Sequence, residues 1–275
     1  MSLEQKFPGK RAFITGAASG LGLAMAERLA LKGWKLLLGD IDETRLAEAE
    51  AKLRDMGADT ATVVLDVTHP DAIQQAADSL QESWGGVDLV FNNAGIALAG
   101  TIEELSLEEW ERVINVDLWS VINGCRIFAP ILKRQGSGHI INTASSAGTL
   151  AGPEMAAYNV AKAGVVSLSE TLKAELSRNN IGVTVICPTV FVTSLGDGLS
   201  NGRKMEANLA KQLQESSVSA SDIAEHVLWS VERERLYVMT QADARWGWRM
   251  KRLFPETFSR IIAYLYRNRK WIYAE

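Results

Sequence analysis

A chain of 275 residues, 47% hydrophobic and 23% charged, has the balance of an ordinary folded protein, and its length suits one large domain. Its formal net charge of −4 gives no reason to expect a nucleic-acid partner. No apolar run approaches the ~18 residues of a membrane span, and residues 1–10 lack the apolar stretch of a secretory signal.

Residues 11–15 (RAFIT) predict a strand that runs into the glycine-rich turn Thr15-Gly16-Ala17-Ala18-Ser19-Gly20-Leu21-Gly22. Residues 21–32 carry apolar side chains at helical spacing. A strand at 34–38, a helix at 43–56, a strand at 62–65 and a helix at 70–84 follow. Next come a strand at 87–91, one long helix at 107–132, a strand at 139–143, a helix at 156–179 and a strand at 182–186. Strands separated by helices predict βαβ units, and hence a doubly wound, Rossmann-type parallel sheet with helices on both faces. The polar, glycine-bearing stretch 194–204 reads as a mobile loop, and residues 236–240 as a last strand.

Glycine suits a turn that must bring the backbone close to a pyrophosphate, and the free N–H groups of the helix that starts there attract phosphate. The same turn without a ligand is the plainer alternative. The second strand ends at Asp40, where a carboxylate accepts hydrogen bonds from the adenosine ribose hydroxyls and repels a 2′-phosphate; otherwise it caps the next helix, a role Asp42 fills as well. No Arg or Lys stands at 17, 18, 19 or 41 to pair with a 2′-phosphate, which favours NAD over NADP. Asp66 either meets the adenine or starts a turn. Tyr158 and Lys162 lie four apart, on one face of a predicted helix. A neighbouring ammonium favours the phenolate, so the pair can move a hydroxyl proton while hydride moves elsewhere. Ser145 follows a strand at its carboxyl end, where its hydroxyl can orient a substrate oxygen.

These pieces together resemble the short-chain dehydrogenase/reductase family over residues 10–193. The likeness rests on TGAASGLG, Asp40, Asp66-Val67, Asn92-Asn93-Ala94-Gly95, Asn115 in NVDLWSVING, Ser145 in INTASS, and Tyr158-Asn-Val-Ala-Lys162. Ser145, thirteen residues before Tyr158, has the family's usual spacing. The resemblance implies Tyr158 as acid/base and Lys162 as the residue that holds the ribose and lowers the tyrosine pKa. It also implies that Ser145 polarises the carbonyl and that Asn115 supports a water-linked proton path to the lysine. The cofactor-binding set it implies is Gly16, Ser19, Gly20, Leu21, Gly22, Asp40, Ile41, Asp66, Val67, Asn93, Ala94, Gly95, Tyr158, Lys162, Pro188, Val190 and Thr193. Two- or four-fold assembly through residues 107–132 and 156–179 is implied as well. The chain departs from the family at Pro188-Thr189, where Pro-Gly is usual, and in about 30 residues beyond the last strand.

The domain is expected to span 1–243, with a substrate lid at about 191–215 and a helical extension at 244–275. Glycines at 196, 198 and 202 would let the lid move. Leu98, Leu150, Phe191, Leu195 and Met205 either face an apolar pocket or belong to the core. From Arg245 onward eight Lys/Arg stand against two acids, with Trp246, Trp248 and Trp271 among them. Phe258, Ile261, Ile262 and Leu265 follow Pro255 at helical spacing, so this tail packs on its own domain or a second subunit, or lies on a membrane surface. Cys125 and Cys187, without an export signal, are expected as free thiols in a reducing cytosol, hence a cytoplasmic protein. His69, His139 and His226 do not cluster with acids or cysteines, so no metal is expected. The expected function is NAD(H)-dependent interconversion of an apolar secondary alcohol and its ketone. Alternatives are an NADP-dependent 3-oxoacyl-type reductase and a non-catalytic dinucleotide-binding module.

Overall fold

Runs such as Phe13-Ile14 and Leu36-Leu37-Leu38 have no polar face, and they become strands covered on both sides. The computed structural model describes residues 2–193, 195 and 203–268. After the short helix α1 (Leu3–Lys6) come β1 (Arg11–Thr15), α2 (Gly20–Ala30), β2 (Lys35–Asp40), α3 (Glu43–Asp55), β3 (Asp59–Val64) and α4 (Pro70–Trp84). Then follow β4 (Leu89–Asn92), α5 (Leu107–Ile114), a π-helical turn (Asn115–Trp119), α6 (Ser120–Gln135), β5 (Gly138–Thr143), α7 (Ala147–Leu150) and α8 (Ala156–Glu175). The chain continues through β6 (Ile181–Ile186), α9 (Lys204–Glu215), α10 (Ala220–Glu232), β7 (Tyr237–Val238), α11 (Ala242–Leu253) and α12 (Pro255–Arg267).

The seven strands form one parallel sheet in the order β3-β2-β1-β4-β5-β6-β7. Side chains alternate between its faces: Ala12, Ile14, Leu36 and Leu38 join α2, α3 and α10, while Phe13 and Leu37 join α4, α6 and α8. The strand order reverses between β1 and β4, which opens a crevice at their carboxyl ends.

Two predicted elements differ. The expected long helix at 107–132 is three pieces, because a π-helical turn of five residues interrupts it at Asn115–Trp119. Hydrophobic periodicity does not register one widened turn inside a continuous helix. Beyond β7 the extension holds two helices, α11 as well as the helix expected after Pro255. Helix α11 rests on the domain: Trp248 meets Tyr237 with ring centroids 5.1 Å apart, and Arg245 donates to the carbonyls of Met239 at 2.9 Å and Thr240 at 2.7 Å. Tyr266 on α12 donates to Glu154 at 2.8 Å. Trp246, Leu253, Phe254, Ile261 and Tyr264 stay exposed along this hairpin. Gly196, Gly198, Gly202 and Trp271 lie outside the described residues.

Candidate active site

The turn after β1 leaves room only for glycine where it matters most. Gly16 and Gly20 have φ of +63° and +54°. A Cβ on Gly22 would overlap the Gly16 carbonyl oxygen, so α2 starts flush against the turn. Helix α2 makes its first backbone bond at Leu23, whose N–H donates to Ser19 at 3.1 Å, and no side chain caps its start. The N–H groups of Gly20, Leu21 and Gly22 therefore precede the helical ladder, next to a bare glycine surface. A dinucleotide's pyrophosphate fits such a cradle.

Neighbouring strand ends are bolted to this turn. Thr15 Oγ1 accepts from the N–H groups of Asn93 at 2.9 Å and Ala94 at 3.0 Å. The Asn93 amide donates to the Thr15 carbonyl at 3.0 Å and accepts from Thr143 Oγ1 at 3.1 Å, joining the ends of β1, β4 and β5. Deeper, Asn92 donates to Asn142 at 2.9 Å, and Asn142 donates to Ser169 at 3.0 Å. The two cysteines are buried and unbridged, and burial pushes each thiol up to about 12.

Asp40 does not cap α3; Asp42 does, accepting from the Arg45 N–H at 3.0 Å. The Asp40 carboxylate accepts from the Ala18 N–H at 2.9 Å and from the Asp42 N–H at 3.1 Å, which ties the end of β2 to the glycine turn. Each oxygen keeps a further lone pair, and Ile41 beside it is exposed. Asp66 starts a turn, accepting from the Thr68 amide at 2.9 Å and its hydroxyl at 2.7 Å. Burial works to raise the Asp66 carboxyl, yet these two bonds hold it below the ordinary aspartate range. Val67 is buried behind it.

At the carboxyl end of β5, Ser145 Oγ accepts from the Ala147 N–H at 3.2 Å and reaches the Pro188 carbonyl at 3.5 Å. Helix α8 carries Tyr158 and Lys162 side by side, with the ammonium 5.6 Å from the ring centroid. Lys162 Nζ donates to the Thr143 carbonyl at 3.1 Å. Gly148 lets α7 press onto α8 at this point, since a Cβ there would sit 2.5 Å from Lys162 backbone atoms. Tyr158 shares an apolar cluster with Ala97, Ala99, Met155, Met205, Leu209 and Leu213, flanked by Val190 and Leu195. Of the proposed pocket residues, Met205 and Leu195 thus stand with the tyrosine, whereas Phe191 belongs to the core around α2 and α10. Thr189, in place of glycine, does not need a positive φ, and its N–H donates to Gln241 Oε1 at 3.2 Å. Thr193 Oγ1 accepts from the Leu195 N–H at 3.3 Å.

Asn115 requires a correction. It is exposed at the start of the π-helical turn. The side chain beside Lys162 belongs instead to Asp117, with Oδ2 3.5 Å from Nζ and no exposure to solvent. Residues two apart on a helix point to nearly opposite sides, so only one of the two can face α8. The family resemblance points to Asn115 in this motif and does not single out Asp117 two residues on. Arg203 was also missed: it donates to both Glu109 carboxylate oxygens at 2.8 Å and to the Glu104 carbonyl at 3.2 Å, clamping the start of α9 over the Tyr158 cluster. A basic residue at the edge of a polar loop carries no signal of a partner almost a hundred residues earlier.

The short chain dehydrogenase family model matches residues 10–204. The chain belongs to that family. A short-chain dehydrogenase/reductase from Burkholderia phymatum, solved in complex with NAD, is 35% identical with a TM-score of 0.86, covering 92% of this chain and 96% of that one. A short-chain dehydrogenase from Sphingobium yanoikuyae, solved with NADPH, is 27% identical with a TM-score of 0.75, covering 90% of this chain and 95% of that one. The 1-deoxy-11-beta-hydroxypentalenate dehydrogenase of Streptomyces exfoliatus is 32% identical over 239 residues, 86% of this chain and 84% of that protein. As a short-chain dehydrogenase, the chain is an oxidoreductase of nicotinamide dinucleotides and small-molecule hydroxyl compounds. No helix among the described residues is long and apolar enough to cross a membrane.

Proposed function

We propose that this short-chain dehydrogenase uses NAD(H) to interconvert an apolar secondary alcohol and its ketone. The observation that carries this reading is the pairing of Tyr158 with Lys162 on one face of α8, at the sheet end that also holds the glycine cradle. Gly16, Ser19, Gly20, Leu21 and Gly22 would hold the pyrophosphate, and Asp40 the adenosine ribose. Ile41, Asp66 and Val67 would flank the adenine, with Asn93 to Gly95, Pro188, Val190 and Thr193 along the nicotinamide side. When bound, the nicotinamide supplies or accepts the hydride. Tyr158 gives or takes the hydroxyl proton, Ser145 holds the substrate oxygen by its own hydroxyl, and Lys162 keeps positive charge beside the phenol. Met205 and Leu195 in the Tyr158 cluster support an apolar substrate, covered by a lid at about 191–215. Asp40, with no Arg or Lys at 17, 18, 19 or 41, supports NAD over NADP. The domain is read as 1–243, with 244–275 as an extension, in the cytoplasm. Trp119 and Val160, exposed on the helices suited to pairing, support a homodimer or homotetramer.

The test is NAD reduction against a panel of apolar secondary alcohols, with Tyr158→Phe beside the wild type. Turnover falling on the order of 10²–10⁴-fold in the variant, with NADH still bound, is expected. A variant as fast as the wild type would remove Tyr158 from the chemistry.

A further inference from the structure

Asp117 brings a carboxyl to a place where the family resemblance implies an uncharged amide. Its side chain is fully buried. Oδ1 is fixed by the Ile96 N–H, which donates at 2.8 Å. Oδ2 has no hydrogen-bond partner and faces Lys162 Nζ at 3.5 Å, an ammonium only 3% exposed. Gly95 closes the third side, because a Cβ there would meet Asp117 Oδ1 at 3.1 Å and Lys162 Nζ at 3.2 Å. Asp117 lies within the π-helical turn Asn115–Trp119, which packs against α8.

Resting on the proposed role of Tyr158, we infer that Asp117 is a positioning residue whose carboxylate offsets the charge of Lys162 and so sets the pH at which Tyr158 ionises. An ammonium promotes a neighbouring phenolate through its net charge. A carboxylate 3.5 Å from that ammonium removes most of the net charge while holding the side chain in place. Among the described residues, the elements packed around Asp117 bring no other charge to it. Glu108, Glu111 and Arg112 on α5 and Arg126 on α6 are exposed, and Glu109 is bound to Arg203. From α8 only Lys162 and Tyr158 face the site; Cys125 on α6 is a neutral thiol. Burial pushes the Asp117 carboxyl up from the ordinary aspartate range, against the pull of Lys162 and of the Ile96 amide. The offset is therefore lost as pH falls through that raised range, and Lys162 then acts on the phenol with its full charge.

The readout is tyrosinate absorbance of the full chain without cofactor, taken as the difference from Tyr158→Phe so that the other four of the five tyrosines cancel. It needs no substrate, so it stands or falls apart from the oxidoreductase reading, which the alcohol panel tests. Asp117→Asn and Asp117→Ser should each lower the Tyr158 ionisation midpoint by about one pH unit, whereas Asp117→Glu should return it toward wild type. An unchanged or higher midpoint in a folded neutral variant overturns the inference. Should neither neutral variant fold, carbon-13 resonances of the wild-type Asp117 carboxyl decide: a carboxylate at neutral pH supports the offset, and a protonated carboxyl contradicts it.

Discussion

At the amino ends of the strands Arg11 meets Asp88, and at the carboxyl ends Lys162 meets Asp117. The first pair is closed: Arg11 donates to Asp88 at 3.0 Å and 2.9 Å through two guanidinium nitrogens and to the Trp84 carbonyl at 3.1 Å, while its own N–H also reaches Asp88 at 2.9 Å. The second is open, with one carboxylate oxygen lacking a hydrogen bond and the ammonium held mainly by the Thr143 carbonyl. A buried charge whose hydrogen bonds are all satisfied fixes structure. One with bonding capacity left over can respond to a ligand or a proton. The same sheet thus has a structural end and a chemical end, and the difference lies in how completely each charge is satisfied.

Breaking the closed pair should produce the largest loss of stability. Asp88→Ala strands Arg11 and should cost roughly 3–5 kcal/mol in urea unfolding, while NADH affinity of the folded protein stays within about twofold of wild type. A loss of affinity without a loss of stability would reverse the division between the two ends. At the other end Gly22→Ala forces the new methyl into the Gly16 carbonyl oxygen. It should cost about 1–3 kcal/mol and weaken NADH binding by at least about tenfold, read by melting and by fluorescence titration. The smallest effect concerns His139, near the amino end of β5. Thr184 donates its hydroxyl to the Arg235 carbonyl at 2.8 Å, so its oxygen accepts from His139 Nε2, also at 2.8 Å, and the ring stays neutral. Burial holds His139 well below 6.5, so the unfolded chain binds a proton that the folded chain refuses. Stability from this group is complete above about pH 6.5 and is lost as pH falls below it, by up to about 1.4 kcal/mol per unit. His139→Gln should flatten that slope between about pH 7 and pH 5; an unaltered slope would assign the acid sensitivity elsewhere.

The chemical end was the more legible of the two in the sequence, because its residues obey short-range rules. The glycine spacing of Gly16, Gly20 and Gly22, the four-residue step from Tyr158 to Lys162, and Asp40 at a strand end each follow from local backbone geometry. The succession of strands and helices was legible for the same reason, since each element shows its own local periodicity. Arg11 with Asp88, and Arg203 with Glu109, join residues far apart in the chain, and nothing local marks them. Asp117 escaped for a different reason. Within NVDLWSVING, Asn115 has the residue type the resemblance implies, whereas the position that meets Lys162 carries an aspartate, Asp117.

The carboxyl-end site is proposed to hold NAD, with Asp40 reading the ribose. Fluorescence titration of the purified protein with NADH and, separately, NADPH tests it most directly. NADH should bind at least about tenfold more tightly, a margin that Asp40→Ala erodes. NADPH binding equally well or more tightly, with Asp40 intact, would contradict it.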